Sequence, residues 1–142
     1  MRTMSDEEYR TFMLHGTRTA KAATVNTKGL PHVKPVWFVL DGDDLIFTTH
    51  ESYVMTRHLR HDPHIALTID DQEAPYSYVI VEGTVTLSEN LDDLVRWATV
   101  IGGRYMGADR AEEFGRRNGV PGELLVRVTP TKVLARADIA GY

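Results

Sequence analysis

The sequence contains no cysteine. Disulfide bridges, thiolate metal sites, iron–sulfur clusters and a cysteine nucleophile are therefore excluded. No apolar run approaches the roughly 20 residues that a membrane-spanning helix needs. The stretch from Met1 to Glu8 has no apolar heart of a signal peptide, so a cytoplasmic protein with no membrane span is expected. Neither sign of charge dominates. Lys and Arg total 16 against 20 Asp and Glu, for a net charge of −4 at pH 7, and the basic residues are scattered. Nucleic-acid binders draw much of their affinity from a basic face, so no nucleic-acid partner is expected. The G-x-S-x-G elbow, the P-loop, G-x-G-x-x-G and H-E-x-x-H are all missing.

What remains is ordinary globular material: 142 residues, 42% hydrophobic and 25% charged. That composition and length fit a single domain over 1–142 with its own core. Ser5-Asp6-Glu7-Glu8 reads as a capping box, with Ser5 capping a helix and Glu8 reaching back to it. Tyr9, Phe12 and Met13 follow at helical spacing and Gly16 stands where a C′ glycine belongs, which predicts a helix over Asp6–His15. Strand-rich segments follow at Thr17–Asn26, Leu30–Leu40, Asp44–Thr49, His64–Asp70, Tyr78–Leu87 and Glu123–Ala135. Asn26-Thr27-Lys28-Gly29 and Asp41-Gly42-Asp43 are turn signals between the first three. Helices are expected over Ser52–Asp62, stopped by Asp62-Pro63, over Asn90–Ile101 and over Ala108–Asn118. Gly102-Gly103 reads as a helix-ending turn. Six antiparallel strands of this length close most economically into a small barrel, because closure removes exposed edges.

Histidines 58, 61 and 64 are three apart, but Pro63 separates His64 from the helix and no carboxylate is spaced as a third ligand. They read as solvated surface residues, and no metal is expected. Pro35 is more informative. Proline cannot donate to a ladder, so its strand must lie at an edge or be bulged there. Lys34 and Trp37 flank it. Downstream, Phe47-Thr48-Thr49-His50-Glu51-Ser52 runs straight into the helix that carries Thr56 and Arg57. Free N–H groups and the dipole at a helix start favour an anion, although Ser52 alone could serve as a plain cap.

Five segments occur in an order that resembles a known superfamily. They are Ala22-Ala23-Thr24-Val25-Asn26, Gly29-Leu30-Pro31-His32-Val33, Leu45-Ile46-Phe47-Thr48-Thr49, Thr56-Arg57-His58-Leu59-Arg60-His61-Asp62-Pro63 and Val81-Glu82-Gly83-Thr84-Val85. The chain resembles, over Arg18 to Ala135, the pyridoxamine 5′-phosphate oxidase-like split-barrel superfamily, and within it the branch that uses the deazaflavin coenzyme F-420. The resemblance implies a mainly β fold, a six-stranded antiparallel split β-barrel of the FMN-binding type with short flanking helices. It implies a homodimer with two cofactor sites at the interface. The cofactor ring would lie against Lys34, Pro35 and Val36. Its phosphate would meet Thr48, Thr49 and the helix start at Ser52, Met55, Thr56 and Arg57. The superfamily usually carries basic residues where this chain has Tyr53 and Met55, or Val54 by the oxidase alignment, so Arg57, Lys34, hydroxyls and backbone N–H groups would hold the phosphate here, with Arg57 contributing most.

The implied activity is hydride transfer from the reduced deazaflavin to an electron-poor conjugated small molecule. No acid–base residue is demanded by that chemistry, and the catalytic residues stay unassigned; water, or a nearby group such as Tyr78 or His50, would supply the proton. FMN in the same barrel is the alternative cofactor. A non-catalytic barrel holding a flavin or a tetrapyrrole is the alternative from another functional class.

Overall fold

Turn chemistry sets the strand boundaries in the computed structural model, which describes residues 1–141. The elements in chain order are β1 (Arg2–Thr3), α1 (Asp6–Leu14), β2 (Ala20–Val25), β3 (Pro31–Val36), β4 (Val39–Asp41), β5 (Asp44–His50), α2 (Val54–His61), β6 (His64–Asp70), β7 (Tyr78–Ser88), α3 (Leu91–Met106), a 3-10 turn (Ala108–Arg110), α4 (Ala111–Asn118) and β8 (Glu123–Ala137). Asn26 shapes the β2–β3 turn by accepting from the N–H groups of Lys28 and Leu30 at 2.8 and 3.0 Å, and Gly29 closes it at a positive φ of 77°. Ser5 caps α1 by accepting from Glu8 N at 3.2 Å. The reciprocal half of the expected box is not made. The Glu8 carboxylate turns instead to the Arg2 guanidinium, a two-bond pair at 2.8 and 2.7 Å.

The fold is a mainly β, antiparallel split barrel, with eight strands rather than six. The expected strand Leu30–Leu40 breaks at Trp37-Phe38 into β3 and β4, and two residues at the N-terminus pair with β8 as β1. The strand order is β3-β2-β6-β7-β8-β5-β4. Its two ends, β3 and β4, are consecutive in the chain and joined only by Trp37-Phe38. A two-residue link between the ends of a sheet forces it to curl onto itself, since consecutive Cα atoms are only about 3.8 Å apart. β3 pairs with β2 alone along a regular ladder, with Pro35 opposite Lys21. Of the two explanations for a strand proline, the edge is the one that holds.

The barrel interior is filled by Phe38, Phe47, Leu67, Ile69, Val79, Val126 and Val128, with Met55 and Leu59 of α2 closing it. A second, smaller core lies outside the sheet, where Leu94, Trp97 and Ile101 of α3 pack on Val39, Ile46 and Leu125. β8 serves both cores. Opposite β7 its register shifts between Glu82 and Gly83, leaving Thr131 as an extra residue beside Pro130. This bulge admits a proline into a central strand and reverses the alternation. Val126 and Val128 face inward before it, Val133, Ala135 and Ala137 after it.

α3 does not stop at Gly102-Gly103; it runs on to Met106 and ends at Gly107, φ 102°. The expected turn is instead a packing site. A Cβ on Gly102 would stand 2.4 Å from Phe114 Cβ, so the glycine is what lets α4 approach α3 this closely. The continued helix delivers Arg104 and Tyr105 to the sheet closure. The half-buried Arg104 guanidinium donates to Gly16 O at 3.0 Å, Phe38 O at 2.6 Å, Met13 O at 2.8 Å and Arg18 O at 3.4 Å. Tyr105 Oη donates to Arg18 O at 2.7 Å and accepts from Phe38 N at 3.1 Å.

Two stability predictions follow from these contacts. Replacing Arg104 by Met strands several part-buried carbonyls, and is expected to cost about 3 kcal/mol. Urea unfolding should show a lower midpoint at unchanged slope. A Cβ on Gly83 would stand 2.4 Å from the backbone oxygen of Thr129. Gly83→Ala is therefore expected to cost about 1–3 kcal/mol in the same measurement, because a ladder backbone cannot move aside as a side chain can.

Candidate functional site

Three strands distant in sequence meet beside the closure of the sheet. β3 brings Lys34, Pro35 and Val36, β5 brings Thr48 and Thr49, and β8 opens with Glu123. Together with Trp37, Tyr53, Ile101 and Asn118 they line a pocket of about 350 Å³. Thr48 is on the same face of β5 as Ile46, against which α3 packs, so the helical layer forms one wall. Trp37 stacks on Tyr105 with ring centroids 5.0 Å apart and planes within 6°. Tyr105 is itself held by its bonds at Arg18 and Phe38, which keeps that wall fixed.

The Lys34 ammonium sits 3.9 Å from the centre of the Tyr53 ring, a cation–π contact. The ion-paired lysines among the described residues are Lys21 and Lys132, and Lys34 is not one of them. Thr49 is almost wholly buried, and its hydroxyl lies 3.0 Å from that of Thr56, which donates to His50 O at 2.6 Å. One hydroxyl carries one proton, so Thr49 must be the donor to Thr56. That chain ties the end of β5 to the first turn of α2. The N–H of Ser52 donates to His50 Nδ1 at 3.1 Å and its hydroxyl lies 2.7 Å from the same nitrogen. Nδ1 is thus an acceptor, and neutral His50 carries its proton on Nε2.

The nine residues singled out from sequence divide. Lys34, Pro35, Val36, Thr48 and Thr49 line one pocket. Ser52 is exposed and engaged with His50, and it is not the cap of α2; that position is Tyr53, with no side-chain cap bond and no acid in the first turn. Thr56 is fully buried in the hydroxyl chain. Met55 is 1% exposed and belongs to the barrel core, so a base there would bury a charge rather than meet a ligand. Arg57 is exposed outside the pocket lining, with its Nη1 3.5 Å from Ser52 O. Of the suggested proton donors, Tyr78 stands opposite Asp70 and Arg136 and does not line the pocket. His50 is across the ladder from Glu123, just outside the lining.

Glu123, Ile101 and Asn118 were not legible as site residues. Glu123 is a partly buried carboxyl whose pKa burial raises above the ordinary glutamate value, while the charges of His50, Arg117 and Lys34 pull the other way. A larger hollow of about 460 Å³ lies on the outer face of the sheet over Ala23, Val25, Pro31, Ala66 and Gly83. It has a mainly apolar floor, with His64, Glu82 and Lys132 in its lining. No helix among the described residues is long and apolar enough to cross a membrane.

The chain matches no curated protein. Its fold matches many solved structures. A conserved hypothetical protein from Mycobacterium tuberculosis superposes with a TM-score of 0.85 at 22% identity, over 95% of this chain and 86% of that one. A protein named F420 reductase is 25% identical, with a TM-score of 0.68 over 87% of this chain and 94% of its own. An FAD-binding protein from Mesorhizobium loti, 16% identical, superposes with a TM-score of 0.69 over 94% and 95% of the two chains. The family described as pyridoxamine 5′-phosphate oxidase matches residues 5–137. With that match spanning nearly the whole barrel, the chain belongs to the pyridoxamine 5′-phosphate oxidase family of split-barrel proteins.

Proposed function

We propose that this protein is a deazaflavin-dependent oxidoreductase that binds coenzyme F-420 in the Lys34–Thr48–Glu123 pocket and reduces an electron-poor conjugated small molecule. The observation that carries the reading is the likeness to F420 reductase, at 25% identity over 87% of the chain. The donor set fits such a cofactor. Lys34 offers an ammonium with no ion-pair partner among the described residues, and Thr48 a hydroxyl. Beside them α2 begins without a side-chain cap; the Thr56 N–H donates to Tyr53 O at 3.1 Å, while those of Val54 and Met55 have no partner among the described residues and are left for an anion.

When bound, the reduced deazaflavin would supply the hydride. The chain's own residues do the rest. Lys34 holds negative charge, kept in place by its stacking over Tyr53. Pro35 and Val36 present a flat wall for a ring. Trp37 and Ile101 keep water from one side of the pocket. The Thr49–Thr56–His50 chain fixes the strand end on which Thr48 is carried.

A homodimer belongs to the same reading. Leu30 and Val33 on and beside the edge strand β3 are 58% and 66% exposed, and the apolar outer hollow over β2 and β6 is close by. A paired edge and a covered apolar patch remove both liabilities at once. Light scattering at micromolar concentration is expected to return twice the 16.0 kDa chain mass; a monomer there contradicts the dimer.

Titration with coenzyme F-420 and with FMN, followed by cofactor fluorescence, tests the cofactor. Saturable quenching of the deazaflavin is expected. Binding of FMN in its place would assign the alternative cofactor, and binding of neither would return the protein to the non-catalytic class. Lys34→Ala is expected to weaken deazaflavin binding about tenfold or more, the worth of one charge-assisted bond. Arg57→Ala, outside the lining, is expected to change it by less than about threefold.

A further inference from the structure

Two groups of opposite charge line the same pocket without pairing. Lys34 rests on the Tyr53 ring. Glu123 appears in none of the ion pairs or side-chain hydrogen bonds formed among the described residues, although it shares the pocket wall with Lys34 and is partly buried. We propose that Glu123 sets the charge selectivity of the pocket: its carboxylate opposes an anionic ligand, and uptake of one proton removes that opposition, so that the anion and the proton bind together. The inference rests on the assignment of this pocket to an anionic cofactor.

The surroundings of Glu123 are defined on every side. Lys34 faces it from β3, His50 from the opposite position of β5, and Arg117 from α4. Tyr53 stands across the pocket, and Glu51 and Glu89 line the groove on its other side with Leu91, Pro121 and Gly122. Three cations favour the ionised form, yet burial outweighs them and holds the carboxyl above its ordinary pKa. Such a group takes up a proton at higher pH than an ordinary glutamate does. Ionised, it cancels the charge of Lys34 and the pocket is neutral overall. Protonated, it leaves that charge uncompensated and adds an O–H donor. Anion affinity is therefore greatest below the titration of Glu123 and falls as pH rises through it.

The test compares the wild type with Glu123→Gln, which keeps the shape and removes the charge. Sulfate is the probe, because it keeps its charge between about pH 5 and pH 8 while carboxyls and imidazoles titrate. Binding is followed by the amide resonances of Lys34 and Thr48. At the upper end, Glu123→Gln is expected to bind sulfate about fivefold more tightly than the wild type, the effect of one screened charge nearby. The ratio should shrink toward the lower end, as Glu123 begins to take up its proton. Glu51→Gln, on the groove side, should leave the affinity within about twofold.

Equal affinity of wild type and Glu123→Gln at the upper end, weaker binding by Glu123→Gln, or no sulfate shift at Lys34 and Thr48 in either protein would each overturn the proposal. The same pair titrated with coenzyme F-420 separates it from the functional reading. Cofactor binding that ignores Glu123 leaves the deazaflavin assignment standing and removes the selectivity. A sulfate ratio that behaves as expected, with no binding of F-420 or FMN, removes the cofactor assignment and keeps Glu123 as the selector for another anion.

Discussion

Arg104 holds together three pieces of chain that no strand pairing connects. Its guanidinium reaches the end of α1 at Met13, the following turn at Gly16 and Arg18, and the Trp37-Phe38 link that joins the two ends of the sheet. Among the described residues no carboxylate takes part. The partners are backbone carbonyls, and the faces of Phe38 and Tyr105 lie 4.6 and 4.8 Å from the guanidinium carbon. A planar group with five donors suits such a place, because one side chain can satisfy several carbonyls that point at a common centre. Burial lowers its pKa, which is the energetic cost of keeping a charge there. In return the barrel is closed at the one place where no ladder closes it.

The pocket depends on that closure. Lys34 and Thr48 lie on strands near the two ends of the sheet path and share a wall only because the path curls round. Trp37, within the link, is both a pocket wall and the partner of Tyr105, the residue next to Arg104. The position of the candidate site and the position of the principal clamp are thus one structural fact. Inside the pocket two opposite charges form no ion pair among the described residues: a lysine resting on an aromatic ring, and a carboxyl drawn only at a distance by His50, Arg117 and Lys34. Unpaired groups of this kind are what structural cores avoid and binding sites keep.

Much of the barrel was legible because it rests on local chemistry. Turn residues such as Asn26 and Gly29, the Ser5 cap, the Asp62-Pro63 stop and the strict alternation of β7 each act within a few residues of themselves. The break at Trp37-Phe38 was hidden because both sides of it are strand, with no glycine or proline at the break. Gly102-Gly103 misled for the opposite reason. A glycine pair signals a turn in isolation, but here the missing side chains let Phe114 approach, and that is a tertiary fact. The site shows the same division. Lys34, Pro35, Val36, Thr48 and Thr49 lie on two strands whose pattern could be read. Glu123 opens a strand 73 positions further along than His50, its ladder partner, and nothing near it in sequence marks the meeting. Met55 and Thr56 face the core because α2 turns that side inward, which helical period alone does not decide without knowing where the sheet is.

The bulge at Thr131 gives β8 something like a reading frame. Ahead of it one parity of residues fills the barrel, and behind it the other. Thr131 itself contributes one hydroxyl bond, to Glu82 O at 3.1 Å, so its identity matters little to the interior. Its presence matters locally. Without that one residue Pro130 and Lys132 would follow in plain alternation, and Val133 and Ala135 would still face inward opposite Val81 and Val79. The loss would fall on Pro130, which has no N–H to give and would be pressed into an unbroken central ladder. The spare residue of this strand therefore carries the bend and the proline, not the phase of the side chains beyond it.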